Sequence, residues 1–248
     1  MSLASMIGRR LRALRTGPST IANSFQSEYY QRHNARRLEH LASLGIAIHG
    51  RSVLELGAGI GDHTHYYLDR NCSVTATDAR EENLRILRNR YPSCATALLD
   101  VEGEESSVNG MFDVVHCYGL LYHVSDPGRV LDLIDRVAGD LVFLETCVAF
   151  GESEAINQVS EPSNNPTQAY SGTGCRPTRA WLFSNLKQRF AHVYTPLTQP
   201  NHAEFPVDWN NPADHGAPLQ RSIFIASRQP LANAQLSPDL LPVQTRHA

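Results

Sequence analysis

Glu55, Gly57, Gly59 and Gly61 stand at alternate positions at the end of a short apolar run, Val53-Leu54-Glu55-Leu56. A Cβ at such glycines would clash or forbid the dihedrals of a tight turn, so the pattern suits backbone that approaches a ligand closely. A second acid, Asp78, ends the β-branched run that starts at Ser73 and lies 21 residues after Gly57. At that distance a second parallel strand presents a carboxylate to a ribose. Asp78 also has a plainer use, capping a helix that starts near Ala79. Together the turn and the distant acid describe a nucleoside-binding arrangement. A dinucleotide fingerprint would read Gly-x-Gly-x-x-Gly and face a pyrophosphate with a helix N-terminus. Here the glycines alternate and an acid precedes them by two residues, a place where a carboxylate would repel a pyrophosphate and suit an ammonium. Both features argue against a nicotinamide-dependent reductase.

These residues resemble the motifs of the class I, Rossmann-like S-adenosylmethionine-dependent methyltransferases of the small-molecule type, over roughly residues 38–228. Asp78 looks like that family's ribose-binding acid. Leu98-Leu99-Asp100-Val101 is similar to its third-strand element, whose acid meets the adenine amine. Phe112 to Gly119 is similar to its fourth strand, which leads to the active-site loop. The resemblance implies S-adenosylmethionine as cofactor, held by Glu55, Gly57, Gly59, Gly61, Asp78, Ala79, Asp100, Val101, His116 and Cys117. It also implies an α/β fold: a doubly wound, mostly parallel seven-stranded sheet with helices on both faces and an antiparallel last hairpin.

The elements that must position these residues can be read locally. Short apolar strands alternate with helices, which predicts a parallel sheet covered on both faces. Helices are expected over 64–69, 80–91, 128–138 and 181–190, and further strands over 141–146, 192–197 and 222–227. Pro92 ends the second helix, and Asp126-Pro127 opens the third with proline in the first turn. Residues 1–37 are expected to form a helical, lid-like segment before the 38–228 domain, and 229–248 a loosely ordered tail. Within the first segment Leu3, Ile7, Leu11 and Leu14 make one helical stripe beside Arg9, Arg10, Arg12 and Arg15. Leu38, Leu41 and Leu44 make another, behind Tyr29, Tyr30 and His33, which are candidates for a lid over the acceptor or for ordinary packing.

Composition bounds the rest. The chain has 248 residues, 22 basic and 25 acidic, for a net charge of −3, so no global nucleic-acid signature exists. Cys72, Cys94, Cys117, Cys147 and Cys175 are odd in number, dispersed and without a Cys-x-x-Cys pair, which speaks against a disulfide framework or zinc site and for the cytoplasm. No apolar run approaches the roughly 18 residues of a spanning helix, so no membrane partner is expected. Glu102-Gly103-Glu104-Glu105 reads as a solvated turn. His63 and His65 are two residues apart, which fails the one-face criterion for a helical metal pair, and no metal is expected.

Methyl transfer needs near-attack positioning and, for a hydroxyl acceptor, removal of a proton. His116, Tyr118, Tyr122 and His123 lie at the end of the fourth strand and in the loop after it. Histidine titrates near neutrality, so His123 and His116 are the candidate bases. Segments 151–177 and 198–219 are long and rich in Pro, Asn, Gly and Ser, as lids or binding loops are. Tyr29, Tyr30, Tyr122, Asp208 and Trp209 are the candidate acceptor contacts, though the 198–219 segment also suits a subunit interface and hence a homodimer. The expected function is transfer of a methyl group from S-adenosylmethionine to a small molecule, on oxygen, since the Asp-Pro-Pro-Tyr type of motif used on amides and adenine is missing. Two alternatives stay open. Gly119-Leu120-Leu121-Tyr122-His123 is similar to a run in transfer-RNA wobble-uridine carboxymethyl transferases, supported in charge only by the Arg-rich N-terminus. A non-catalytic S-adenosylmethionine-binding regulator would keep the same fold.

Overall fold

The central strands of the main sheet alternate their apolar side chains between two faces, and helices cover both faces. The computed structural model describes residues 21, 23, 25–103 and 108–248; the Arg-rich stripe and Glu104-Glu105 lie outside them. In chain order the principal elements are α1 (Glu28–Ser43), β1 (Ser52–Glu55), α2 (Thr64–Leu68), β2 (Ser73–Asp78), α3 (Glu81–Arg90), β3 (Ala95–Leu98) and β4 (Phe112–Tyr118). A 3-10 turn (Leu121–His123) follows, then α4 (Pro127–Val137), β5 (Ala138–Val148), β6 (Ile156–Ser160), β7 (Thr173–Pro177), α5 (Arg179–Arg189), β8 (His192–Pro196), β9 (Thr198–Gln199), β10 (Gln220–Ser227), β11 (Leu236–Ser237) and β12 (Thr245–Arg246).

The main sheet runs β11-β8-β10-β5-β4-β1-β2-β3. Strands β1 to β5 are parallel, and β10 is antiparallel to both β5 and β8. The order reverses between β1 and β4, and in open α/β sheets ligands bind at the carboxyl ends of the strands beside such a switch point. Leu54, Leu56, Val115, Cys117, Val142 and Leu144 face α4 and α5 in one core. Val53, Val114, Leu141 and Phe143 face the other way, toward Leu38, Leu41 and Leu44 of α1 and Tyr67 of α2. The Asp126 side chain accepts from Arg129 N and Pro127 opens α4, as their sequence positions require.

Three expectations change. The sheet has eight strands instead of seven, because β11 pairs antiparallel with the open edge of β8. Residues 229–248 are not a loose tail: β12 pairs with β9, and Trp209 N donates to Pro242 O at 2.9 Å. These pairings satisfy backbone groups that an open edge would leave to solvent. Glu102 is not a solvated turn residue, since its Oε1 accepts from Ser125 N at 2.8 Å and Asp126 N at 3.0 Å and so fixes the entry to α4. No helix among the described residues is long and apolar enough to cross a membrane.

Candidate active site

An open cleft lies over the carboxyl ends of β1, β2, β3 and β4. Glu55 ends β1, and the turn after it is pinned to the neighbouring strands. Leu56 N donates to His116 O at 2.9 Å and Ala58 N to Thr77 O at 2.7 Å. Gly57 and Gly59 have φ of +66° and +57°, a region open to glycine at no steric cost. A Cβ on Gly57 would stand 2.9 Å from Leu120, and one on Gly59 3.0 Å from Phe25. Side chains there would push both cleft walls off the turn.

Two carboxylates face this cleft, one buried and one half-buried. Glu55 is 2 % exposed and accepts from Thr64 Oγ1 at 2.6 Å. Burial pushes its carboxyl up to about 8, with the Thr64 bond opposing. Asp78 accepts from Gly59 N at 2.9 Å, Arg80 N at 2.8 Å and Asn83 Nδ2 at 3.1 Å. Desolvation raises it against those bonds. Asp78 does not cap α3, whose N-cap is Arg80 with no side-chain cap bond; its carboxylate braces the turn before the helix and lines the cleft. Asp100 joins it there, because Leu99 N donates to Asp78 O at 3.0 Å and ties the ends of β2 and β3 together.

Behind the cleft runs a chain of neutral rings. Asn34 Oδ1 accepts from Arg37 Nη2, so it must accept again from His63 Nε2–H at 3.2 Å. His63 Nδ1 is then the acceptor for His116 Nε2–H at 3.1 Å, and His116 Nδ1 accepts from the Tyr67 hydroxyl at 2.7 Å. Burial, and after it Arg37, pulls His116 down to about 3. Both its nitrogens are spent, so His116 has no lone pair to serve as a base. Glu55, His63 and His116 also offer ligand atoms within 4.8 Å of one another, yet a metal would have to break this chain. His33, His202 and Glu204 form a second such group, where Arg221 Nε already donates to Glu204 at 2.6 Å and supplies the positive charge.

His123 differs. Its ring lines the cleft, its side chain is 11 % exposed, and its Nδ1 lies 2.5 Å from Glu161 Oε2. Tyr122 stacks on it with ring centroids 3.8 Å apart, and the Tyr122 hydroxyl accepts from Arg221 Nη2 at 3.2 Å.

The structure thus brings Glu55, Gly57, Gly59, Asp78, Ala79, Asp100, Val101, His116, Tyr30, Tyr122 and His123 to one cleft. Five candidates lie elsewhere. Gly61 packs its Cα side against Leu87 and Tyr91. Cys117 points into the opposite core. Tyr29 donates to Glu204 at 2.5 Å, outside the cleft lining. Asp208 is spent on Asn210 and Asn211. Trp209 lies under Arg179, 4.0 Å from its guanidinium, and donates to Gln244. Sequence reasoning missed Arg37, Glu145, Glu161, Arg221 and Arg80. Arg80 Nη2 donates to the carbonyls of Ser163, Asn165 and Gln168, and holds the β6–β7 connection across the cleft mouth. Only Glu145 left a signal, as a lone acid inside an apolar strand.

Residues 53–139 match the family model described as a methyltransferase domain. Over 103 residues the chain is 33 % identical to the ubiquinone biosynthesis O-methyltransferase of Pseudomonas paraeruginosa, covering 39 % of this chain and 44 % of that one. The enzyme of the same name from Bordetella avium is 30 % identical over 112 residues, 43 % and 46 % of the two chains. The chain therefore spans less than half the length of these curated relatives. Among solved structures, the N-terminal domain of EvdMO1 with SAH bound superposes with a TM-score of 0.59 at 23 % identity, over 79 % of this chain and 81 % of that one. The 1,6-didemethyltoxoflavin-N1-methyltransferase of Burkholderia thailandensis gives 0.54 at 19 %, over 93 % and 92 %. Residues 53–139 are thus similar to a methyltransferase domain, and the chain has the fold of the class I, Rossmann-like S-adenosylmethionine-dependent methyltransferases.

Proposed function

We propose that the protein transfers a methyl group from S-adenosylmethionine to an oxygen of a small-molecule acceptor. One observation carries the reading: the buried Glu55 and the half-buried Asp78 carboxylates face one cleft, and neither forms an ion pair with a cationic side chain among the described residues. An ammonium fits the first, and a ribose diol, hydrogen-bonding without charge, fits the second. When bound, S-adenosylmethionine supplies an activated methyl group whose carbon–sulfur bond breaks with the electron pair left on sulfur. The chain's own tasks are then few. Glu55 holds the ammonium, Asp78 the ribose, Asp100 the adenine amine, and Phe25 and Leu120 exclude water from the glycine turn. His123 takes the acceptor's hydroxyl proton at Nε2. The O-methyltransferase names of the sequence relatives support an oxygen acceptor. The pair of ionisable groups His123 and Glu161 supports it too, because an amine acceptor can lose its proton after transfer while a hydroxyl gains from a base during it.

The test is incubation with methyl-labelled S-adenosylmethionine and separate panels of phenols, sugars, amines and transfer RNA. Label in an ether-forming hydroxyl compound is the expected result. Label confined to RNA or to amines contradicts the acceptor assignment.

Glu55 gives a second expectation. Its folded value of about 8 lies above the 4.5 of the unfolded chain. Between these pH values the unfolded state ionises first, so Glu55 lowers stability as pH rises from 4.5 to about 8. An ammonium partner favours the ionised form, so cofactor binding below pH 8 expels this proton. Calorimetry of S-adenosylhomocysteine at pH 7 in two buffers of different ionisation enthalpy should show about one proton released per molecule bound. Glu55→Gln should release none and bind more weakly. An equal buffer dependence in both proteins would contradict the assignment.

A further inference from the structure

The β6–β7 hairpin is built to press on the turn that carries His123. β7 lies against that turn so closely that a Cβ on Gly174 would stand 2.5 Å from Tyr122 O and 2.8 Å from Glu161 Oε1. On either side of this contact, Cys175 Sγ donates to Leu121 O at 3.4 Å and Arg176 Nη1 to Tyr122 O at 3.1 Å. The seam places Glu161, the first residue after β6, against the imidazole. Glu161 is itself held at both oxygens: Oε2 accepts from Ala169 N at 2.8 Å, and Oε1 from Arg176 Nη2 at 3.3 Å.

We propose that Glu161 is the positioning residue for His123, fixing the ring with its proton on Nδ1 and leaving the Nε2 lone pair to the acceptor side of the cleft. Among the described residues no hydrogen bond engages Nε2, and the ring lines the cleft. His123 Nδ1 and the Ala169 amide together hold the Glu161 carboxyl below its ordinary range against burial, so it accepts from Nδ1–H and does not donate. Burial lowers the His123 ring, and Glu161 opposes that shift. The other charged or titratable groups facing the ring are Arg176 from β7, Arg221 from β10 and Tyr122 beside it. A carboxylate so placed fixes the tautomer and steadies the imidazolium that forms when a hydroxyl proton arrives. The chemical purpose rests on the methyl-transfer reading; the tautomer does not.

The experiment is histidine-ring nitrogen NMR on the full chain, wild type and Glu161→Gln, with His123→Gln to assign the signal. The expected wild-type spectrum shows His123 protonated at Nδ1, unprotonated at Nε2, with a downfield Nδ1–H. In Glu161→Gln that proton signal is lost or moves upfield, and the proton affinity of the ring falls tenfold or more. A wild-type ring protonated at Nε2 overturns the proposal, and this outcome needs no variant. So does an Nδ1–H signal and titration unchanged in Glu161→Gln. S-adenosylhomocysteine calorimetry on the same samples reports separately on the cofactor: wild-type binding failure with the Nδ1–H tautomer intact would sink the methyltransferase reading and leave the positioning of His123 standing.

Discussion

Glu145→Ala should cost about 3–5 kcal/mol of folding stability, the penalty typical of removing one partner from a buried ion pair. Glu145 is fully buried in β5 and takes Arg37 Nη1 of α1 at 2.7 Å on one oxygen and Arg221 Nη1 of β10 at 3.0 Å on the other. Removing it leaves the buried Arg37 guanidinium without a carboxylate partner, where its Nε already lacks one, and leaves Arg221 with Glu204 alone. Replacing Glu145 and Arg37 together by apolar residues of similar size should recover part of the loss, because that variant strands no guanidinium at Arg37 and leaves Arg221 paired with Glu204. The two arginines hold the Glu145 carboxyl below its ordinary value in spite of burial. Its contribution is therefore present in full above the unfolded value of 4.5 and is lost as pH falls through the lower folded value. Urea denaturation of the wild type and the variant at neutral and acidic pH checks both statements. A difference under about 1 kcal/mol at neutral pH, the range of an exposed pair, would show that the network is not the clamp that seats α1 on the sheet.

Asp78→Ala should weaken S-adenosylhomocysteine binding more than tenfold, or about 1.4 kcal/mol. The variant loses the proposed ribose partner, and it also frees the Gly59 and Arg80 amides that shape the cleft floor. Asp78→Asn separates these effects only in part, because an amide must turn one of its two acceptor positions into a donor. A ligand comparison separates them better. Adenosine, which has no ammonium, should lose affinity with Asp78→Ala and be indifferent to Glu55→Gln, whereas S-adenosylhomocysteine should respond to both. If adenosine also responds to Glu55→Gln by tenfold, Glu55 is acting on the fold of the turn and not on an ammonium.

The floor of the cleft was legible because its parts are local. Glycine spacing, an acid at a strand end and β-branched runs each carry their reason within a few residues. The parts that were not legible are joined across the chain: Arg37 meets Glu145 across 108 positions and His123 meets Glu161 across 38. Nothing near Glu161 distinguishes it from any acid in a polar loop until the hairpin folds back and Gly174 lets it approach. His116 shows the opposite error. Its place at a strand end suggested a base, but Tyr67 and His63 consume both its nitrogens from elements that sequence does not place beside it. Trp209 and Asp208 were misread for a similar reason, since an aromatic beside an acid in a Pro-rich loop suits a ligand and equally suits the docking of residues 242–244.

What the cleft binds is measured most directly by calorimetric titration of the wild-type chain with S-adenosylhomocysteine, with NADH as control. Micromolar binding of the first and none of the second is expected, since the alternating glycines preceded by Glu55 are not the turn that holds a pyrophosphate. Failure of S-adenosylhomocysteine to bind, or binding of NADH in its place, would contradict that expectation.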